Sequence, residues 1–237
     1  MNIFFSELIG TALMLLFGGG VVANVLLEKT KEAQGGWLVI TLGWALAVFV
    51  GVYSSVHLGG QGHLNPAVSI AMFTLGKIAS TDLLYYVSAQ FAGAMIGATL
   101  VWLLYYPHFA ITQNADFKLG VFCTAPAQRN TIHNLISETI GTFALVFGAL
   151  CISPAAGKMG SMDALPVSLL VLGIGLCLGG PTGYGINPAR DLGPRIMHYL
   201  LPIAGKRDSD WAYSWIPVVG PIAGALLAAF LYGQLMA

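Results

Sequence analysis

Apolar residues gather into six long runs, at 3–27, 37–57, 82–106, 131–152, 164–180 and 212–235. A helix of about 20 residues crosses a hydrocarbon layer about 30 Å thick, so each run is predicted to be a transmembrane helix. The connection 28–34 carries Lys29, Lys31 and Glu32, and 107–130 is polar with Pro107 and Pro126 as breakers. Both read as solvated loops. Two further apolar stretches are too short to span: 66–75, after Gly59-Gly60-Gln61-Gly62, and 188–200, after Gly179-Gly180-Pro181-Thr182-Gly183. At 1.5 Å per residue, ten residues cover about 15 Å, half of a bilayer. Each is announced by the same tripeptide, Asn65-Pro66-Ala67 and Asn187-Pro188-Ala189, with asparagine at an N-cap and proline at the first helical position. The pattern predicts two short helices that start inside the membrane.

An internal repeat underlies the arrangement. Ser6-Glu7-Leu8-Ile9-Gly10-Thr11 and Ser137-Glu138-Thr139-Ile140-Gly141-Thr142 differ at one position and lie 131 residues apart, as do Gly93-Ala94 and Gly224-Ala225. One domain over 1–237 is expected, divided into a first repeat (1–106), a connecting loop (107–130) and a second repeat (131–237). Each half holds three spans and one half-span in the same order. Three is odd, so the second half enters the membrane in the opposite sense, an inverted repeat with a pseudo-two-fold axis in the membrane plane. The half-helices then meet N-terminus to N-terminus near the midplane, and irregular backbone at that depth is tolerated only where it is buried in protein or lines a wet cavity.

Composition narrows the class. With 57% hydrophobic and 8% charged residues, against about 25% charged in soluble domains, the chain reads as an all-α integral membrane protein. A formal net charge of zero speaks against nucleic-acid binding. Cys123, Cys151 and Cys177 show no metal-ligand spacing; the latter two are expected to pack inside apolar segments and Cys123 to lie in a loop. The start, Met1-Asn2-Ile3-Phe4 with Glu7 close behind, lacks the basic region of a cleaved signal, so the first run is expected to remain as a span. No nucleophile, base and orienter occur together, so an enzyme is not expected, nor is a cofactor or metal.

The paired Asn-Pro-Ala boxes, the glutamate in the first span of each half, and Gly183-Tyr184-Gly185-Ile186-Asn187-Pro188-Ala189-Arg190-Asp191 together resemble the aquaporin (major intrinsic protein) family over nearly the whole chain. Within it the chain is similar to the glycerol facilitators, the aquaglyceroporins. Asp191 and Pro217-Val218 are the further markers of that subfamily. The resemblance implies a right-handed bundle of six transmembrane helices plus two re-entrant half-helices, one pore per protomer, a homotetramer, and a place in the plasma membrane. It also implies a selectivity filter of Trp44, Gly175, Tyr184 and Arg190, with Gly175 standing where water-selective relatives carry histidine. Tyr184 stands where the family's glycerol channels carry phenylalanine, so its hydroxyl is expected either to narrow the opening or to add a hydrogen bond. Trp44 has a second reading as an interfacial aromatic anchor.

Expected pore residues are Asn65, Pro66, Ala67, Asn187, Pro188 and Ala189 at the centre, with His63, Leu64, Gly185 and Ile186 on the lining loops. Two opposed helix N-termini each present about half a positive charge. With the amides of Asn65 and Asn187 and the charge of Arg190, they would accept the oxygen of a neutral solute and repel cations and protons. Glu7 and Glu138 could relay protons, but the better reading is that they accept hydrogen bonds from the re-entrant backbone. Asp191, in the first turn of its half-helix with Arg195 four residues on, is expected to be structural. His63 is expected to hold backbone; His57, His108, His133 and His198 receive no role.

The expected activity is passive conduction of glycerol and similar small uncharged solutes, with water. The alternatives are a water-selective channel, a facilitator for dihydroxyacetone, urea or protonated lactic acid, and an alternating-access transporter. Topology is contested: the resemblance puts both termini in the cytoplasm, leaving Lys77 and Lys158 in cytoplasmic loops and Lys29, Lys31, Lys118, Arg129, Arg195, Lys206 and Arg207 outside, against the positive-inside bias.

Overall fold

The structure is a computed structural model that describes residues 3–152 and 160–236; Lys158 lies outside the described residues. In chain order the helices are α1 (Ile3–Leu26), α2 (Gly36–His57), α3 (Pro66–Thr74), α4 (Ser80–Leu104), α5 (Tyr106–Ile111), α6 (Ala115–Gly120), α7 (Thr131–Ile152), α8 (Ala164–Cys177), α9 (Pro188–Leu200) and α10 (Ile216–Met236). A 3-10 turn, Gly160–Asp163, leads into α8. Six helical stretches are long and apolar enough to cross a membrane: α1, α2, α4, α7, α10, and α8 together with its 3-10 turn. The described residues are all-helical, and α3 and α9 are the two short helices expected after the Asn-Pro-Ala boxes.

The repeat is visible in the packing. α1 lies most extensively against α4, and α7 against α10. A Cβ on Gly93 would fall 2.4 Å from the Leu8 carbonyl oxygen, and one on Gly224 would fall 2.2 Å from that of Thr139. Lipid offers no hydrophobic drive between helices, so close backbone approach at small residues supplies the dispersion that holds them together. The half-helices cross between the halves: α3 packs on α10 through Ala67, Ala71, Ala225, Ala228 and Ala229, while Gly193 of α9 faces the Ala94 methyl of α4.

Three expectations are corrected. The segment 107–130 is not simply a solvated loop: it contains α5 and α6 and buries Phe109, Leu119, Phe122 and Cys123 beneath its polar residues. Cys151 and Cys177 are exposed rather than packed, because a membrane protein turns apolar side chains outward as readily as inward. The last span begins at Ile216, not near 212, because residues 211–215 turn and bury Tyr213 against Arg195.

Candidate functional site

The two boxes meet head to head through reciprocal hydrogen bonds. Asn65 caps α3, its Oδ1 accepting from the Ala67 N–H at 2.9 Å, and its Nδ2 donates to the Ile186 carbonyl at 2.9 Å. Asn187 caps α9, accepting from Ala189 and Arg190 N–H at 3.0 and 3.1 Å, and its Nδ2 donates to the Leu64 carbonyl at 2.8 Å. Each amide thus grips the residue that precedes its counterpart. Each NH2 carries a second hydrogen beyond the one used in this grip.

That geometry depends on strained turns. Leu64 and Ile186 both take positive φ, 49° and 39°. Such backbone costs about 1–3 kcal/mol at a non-glycine residue and persists only where the surroundings over-determine it. The intramembrane glutamates supply that restraint. Glu7 accepts from the N–H groups of His63 (2.9 Å) and Leu64 (2.7 Å), and Glu138 accepts from those of Gly185 (2.9 Å) and Ile186 (2.7 Å). Gln90, to which the sequence reading gave no role, ties Glu7 to Ser69 at 2.8 and 3.0 Å. His63 stacks on Tyr86 at 4.4 Å and contacts Ser69 Oγ through Nδ1 at 3.1 Å, so its ring meets side chains of α3 and α4 rather than the backbone it was expected to hold.

A cavity of about 620 Å³ runs past both asparagines. Its lining brings together His63, Leu64, Asn65, Tyr184, Gly185, Ile186, Asn187 and Arg190 of the re-entrant segments with the apolar side chains of Trp44, Val48, Val52 and Val56 of α2, Leu145 of α7 and Val171 of α8. The α2 residues recur every fourth position and so share one face of the helix. This stripe went unassigned in the sequence, because the outward-facing residues of α2, such as Leu38, Leu42 and Leu46, are aliphatic too.

Of the four expected filter residues, three meet in the cavity. The Arg190 guanidinium carbon lies 4.2 Å from the centroid of the Trp44 ring, which itself fits only because Gly18 has no Cβ: one built there would lie 2.4 Å from the indole. Among the described residues no carboxylate pairs with Arg190, because Asp191 is turned to Arg195 (2.8 Å) and to the N–H and hydroxyl of Thr124 (2.7 and 2.6 Å). Gly175 departs from expectation. It does not line the cavity; a Cβ there would sit 3.0 Å from Cζ of Tyr184, so the missing side chain makes room for the tyrosine ring rather than directly for a solute. The Tyr184 hydroxyl is buried without a hydrogen-bond partner, so it neither adds a hydrogen bond nor projects into the opening. His198, given no role, is buried with Nδ1 2.8 Å from Ser209 Oγ.

Three comparisons bear on this arrangement. The family model described as "Major intrinsic protein" matches residues 1–232. The "Probable glycerol uptake facilitator protein" of Thermotoga maritima is 50% identical over 236 residues, covering 99% of this chain and 100% of that protein. "Glycerol uptake facilitator protein 3" of Lactiplantibacillus plantarum is 50% identical over 229 residues, 97% of this chain and 95% of the relative. Among solved structures, the aquaglyceroporin from Plasmodium falciparum superposes with a TM-score of 0.88 at 30% identity, covering 99% of this chain and 96% of that one. Likeness of this extent, over an all-helical chain with six membrane-crossing stretches and two opposed half-helices, means that the chain belongs to the major intrinsic protein family.

Proposed function

We propose that the chain is a passive channel, not an enzyme, which conducts glycerol and similar small uncharged solutes together with water and excludes ions and protons. The observation that carries this reading is the twofold character of the cavity lining, apolar from the valine stripe on α2 and polar from two asparagine amides and an arginine. A polyol has the same twofold character, carbon on one edge and hydroxyl on the other. Relatives named as glycerol uptake facilitators support the choice of solute.

In this reading Trp44, Tyr184 and Arg190 form the selectivity filter, with Gly175 behind it, and Asn65, Pro66, Ala67, Asn187, Pro188 and Ala189 form the pore centre. The N-termini of α3 and α9 add their positive dipole ends at the same place, and among the described residues no carboxylate forms an ion pair with Arg190. A file of waters carrying a proton, or a bare cation, meets that field; a neutral hydroxyl oxygen is attracted by it. Glu7, Glu138 and Asp191 are structural. The channel is one domain over 1–237, set in the plasma membrane as a homotetramer with both termini cytoplasmic.

Reconstitution into proteoliposomes tests the proposal. Under a glycerol gradient the vesicles should shrink and re-swell, with flux linear in glycerol concentration and indifferent to a proton gradient. Absence of re-swelling would leave a water-selective channel, and saturable, proton-coupled flux would point to an alternating-access transporter.

A further inference from the structure

Tyr184 is placed by packing alone. Its hydroxyl has no partner, its φ of 40° puts it on strained backbone, and the space around its ring is closed by two glycines: a Cβ on Gly175 would lie 3.0 Å from Cζ, and one on Gly179 would lie 2.5 Å from Cδ1. What closes the third side is Trp37. Its ring meets that of Tyr184 edge to face, with centroids 5.7 Å apart and planes at 88°. Its Nε1 donates to the Gly175 carbonyl at 3.0 Å, and its Cζ2 would be 2.9 Å from a Cβ on Gly179. Trp37 therefore touches both glycines of the tyrosine's seat and the ring itself, and is not among the residues that line the cavity.

An interfacial anchor reads differently. Such a tryptophan directs its N–H to the headgroups. Here the N–H is spent inside the protein, on a carbonyl of the last turn of α8, where a helix leaves acceptors without an intrahelical donor. The residue is 41% exposed, so part of the indole faces outward, but its polar atom does not. It also stands seven residues before Trp44, two turns back on the same face of α2, so one helix carries both the ring that faces Arg190 and the ring that backs Tyr184.

We propose that Trp37 is a positioning residue for selectivity: it locks the Tyr184 ring through the Gly175 carbonyl and thereby sets the size limit of the constriction. The proposal rests on the reading of that constriction as a polyol filter. Removing the indole leaves the ring free to shift away from Trp44 and Arg190, so larger solutes gain more than water does.

The test compares native protein with Trp37→Leu and Trp37→Phe, each reconstituted at matched protein content, for permeability to water, glycerol and the five-carbon polyol ribitol. Trp37→Leu should raise the ribitol-to-water ratio by about threefold or more, the scale of one lost aromatic pair. Trp37→Phe keeps an aromatic edge but loses the N–H, and should move the ratio in the same direction by less. If all permeabilities scale together in the variants, or the ratio stays at its native value, Trp37 is an anchor and the proposal is overturned. Should Trp37→Leu fail to fold, the ratio in Trp37→Phe alone decides in the same way. Native vesicles that conduct no glycerol would instead overturn the polyol reading, a result distinct from native glycerol flux with an unmoved ratio.

Discussion

At the scale of single residues, two positions separate what is placed near the passage from what acts in it. The Tyr184 hydroxyl is a buried polar group with nothing to bond, a state that costs roughly 1–3 kcal/mol. Tyr184→Phe should therefore keep or raise thermal stability and leave the glycerol-to-water permeability ratio within about twofold of native, since the ring stays in its seat. A selective fall in glycerol flux would put the hydroxyl in the passage after all. Arg190 is the opposite case, a charge on the cavity lining beside the Trp44 ring and, among the described residues, without an ion-pair partner. Replacing it with valine should raise proton conductance by roughly tenfold while water still passes, given what one poorly screened charge is worth in a narrow site; an unchanged proton leak would refute its part in exclusion. Both residues could be picked out by position in the sequence. What could not be read there was who occupies the space above Gly175, because a missing side chain names no tenant.

Between residue and whole stand the helices, where the small residues at the crossings set the architecture. A Cβ on Gly224 would land 2.2 Å from the Thr139 carbonyl oxygen, whereas one on Gly20 would meet nothing within 4 Å. Gly224→Leu should abolish accumulation of folded protein, and Gly20→Ala should be tolerated or stabilising by about 0.5–1 kcal/mol, as for a helical glycine with open space beside it. Detergent-solubilised yield and melting temperature would check both; similar behaviour of the two variants would mean that the α7–α10 crossing tolerates separation. The element order, the half-helices and the repeat were legible from Ser-Glu-x-Ile-Gly-Thr and the two Asn-Pro-Ala boxes. The faces were not. Val48, Val52 and Val56 line the cavity while Leu38, Leu42 and Leu46 of the same helix point outward, yet all six are aliphatic. Periodicity distinguishes inside from outside only when the outside is water, and lipid removes that contrast.

For the whole molecule, the proposed orientation with both termini cytoplasmic puts a network of cations on the outer face. Arg195 is spent on Asp191 and on the carbonyls of Thr124, Ser209 and Asp210; Lys206 caps the carbonyls of His198, Tyr199 and Leu201, each at 2.7 Å. Arg129 pairs with Asp210, Arg207 with Asp116, and Lys118 donates to the Ala204 carbonyl. Of the cations that strain the positive-inside bias, Lys29 and Lys31 stay on an exposed turn, while the others are occupied in tying 107–130 and 201–210 to the end of α9. Asp191→Ala would strand the Arg195 guanidinium and should cost about 3–5 kcal/mol, seen as a lowered melting temperature in detergent. A melting temperature equal to native would show that the network is dispensable. The grip between the asparagines has a consequence for how the chain is made. The Leu64 carbonyl waits for a donor that lies 123 residues further on, so the ribosome must reach the middle of the second half before the turn in the first can settle. Until the second box is made the first turn stays open, and the nascent chain has no finished midpoint through which to leak.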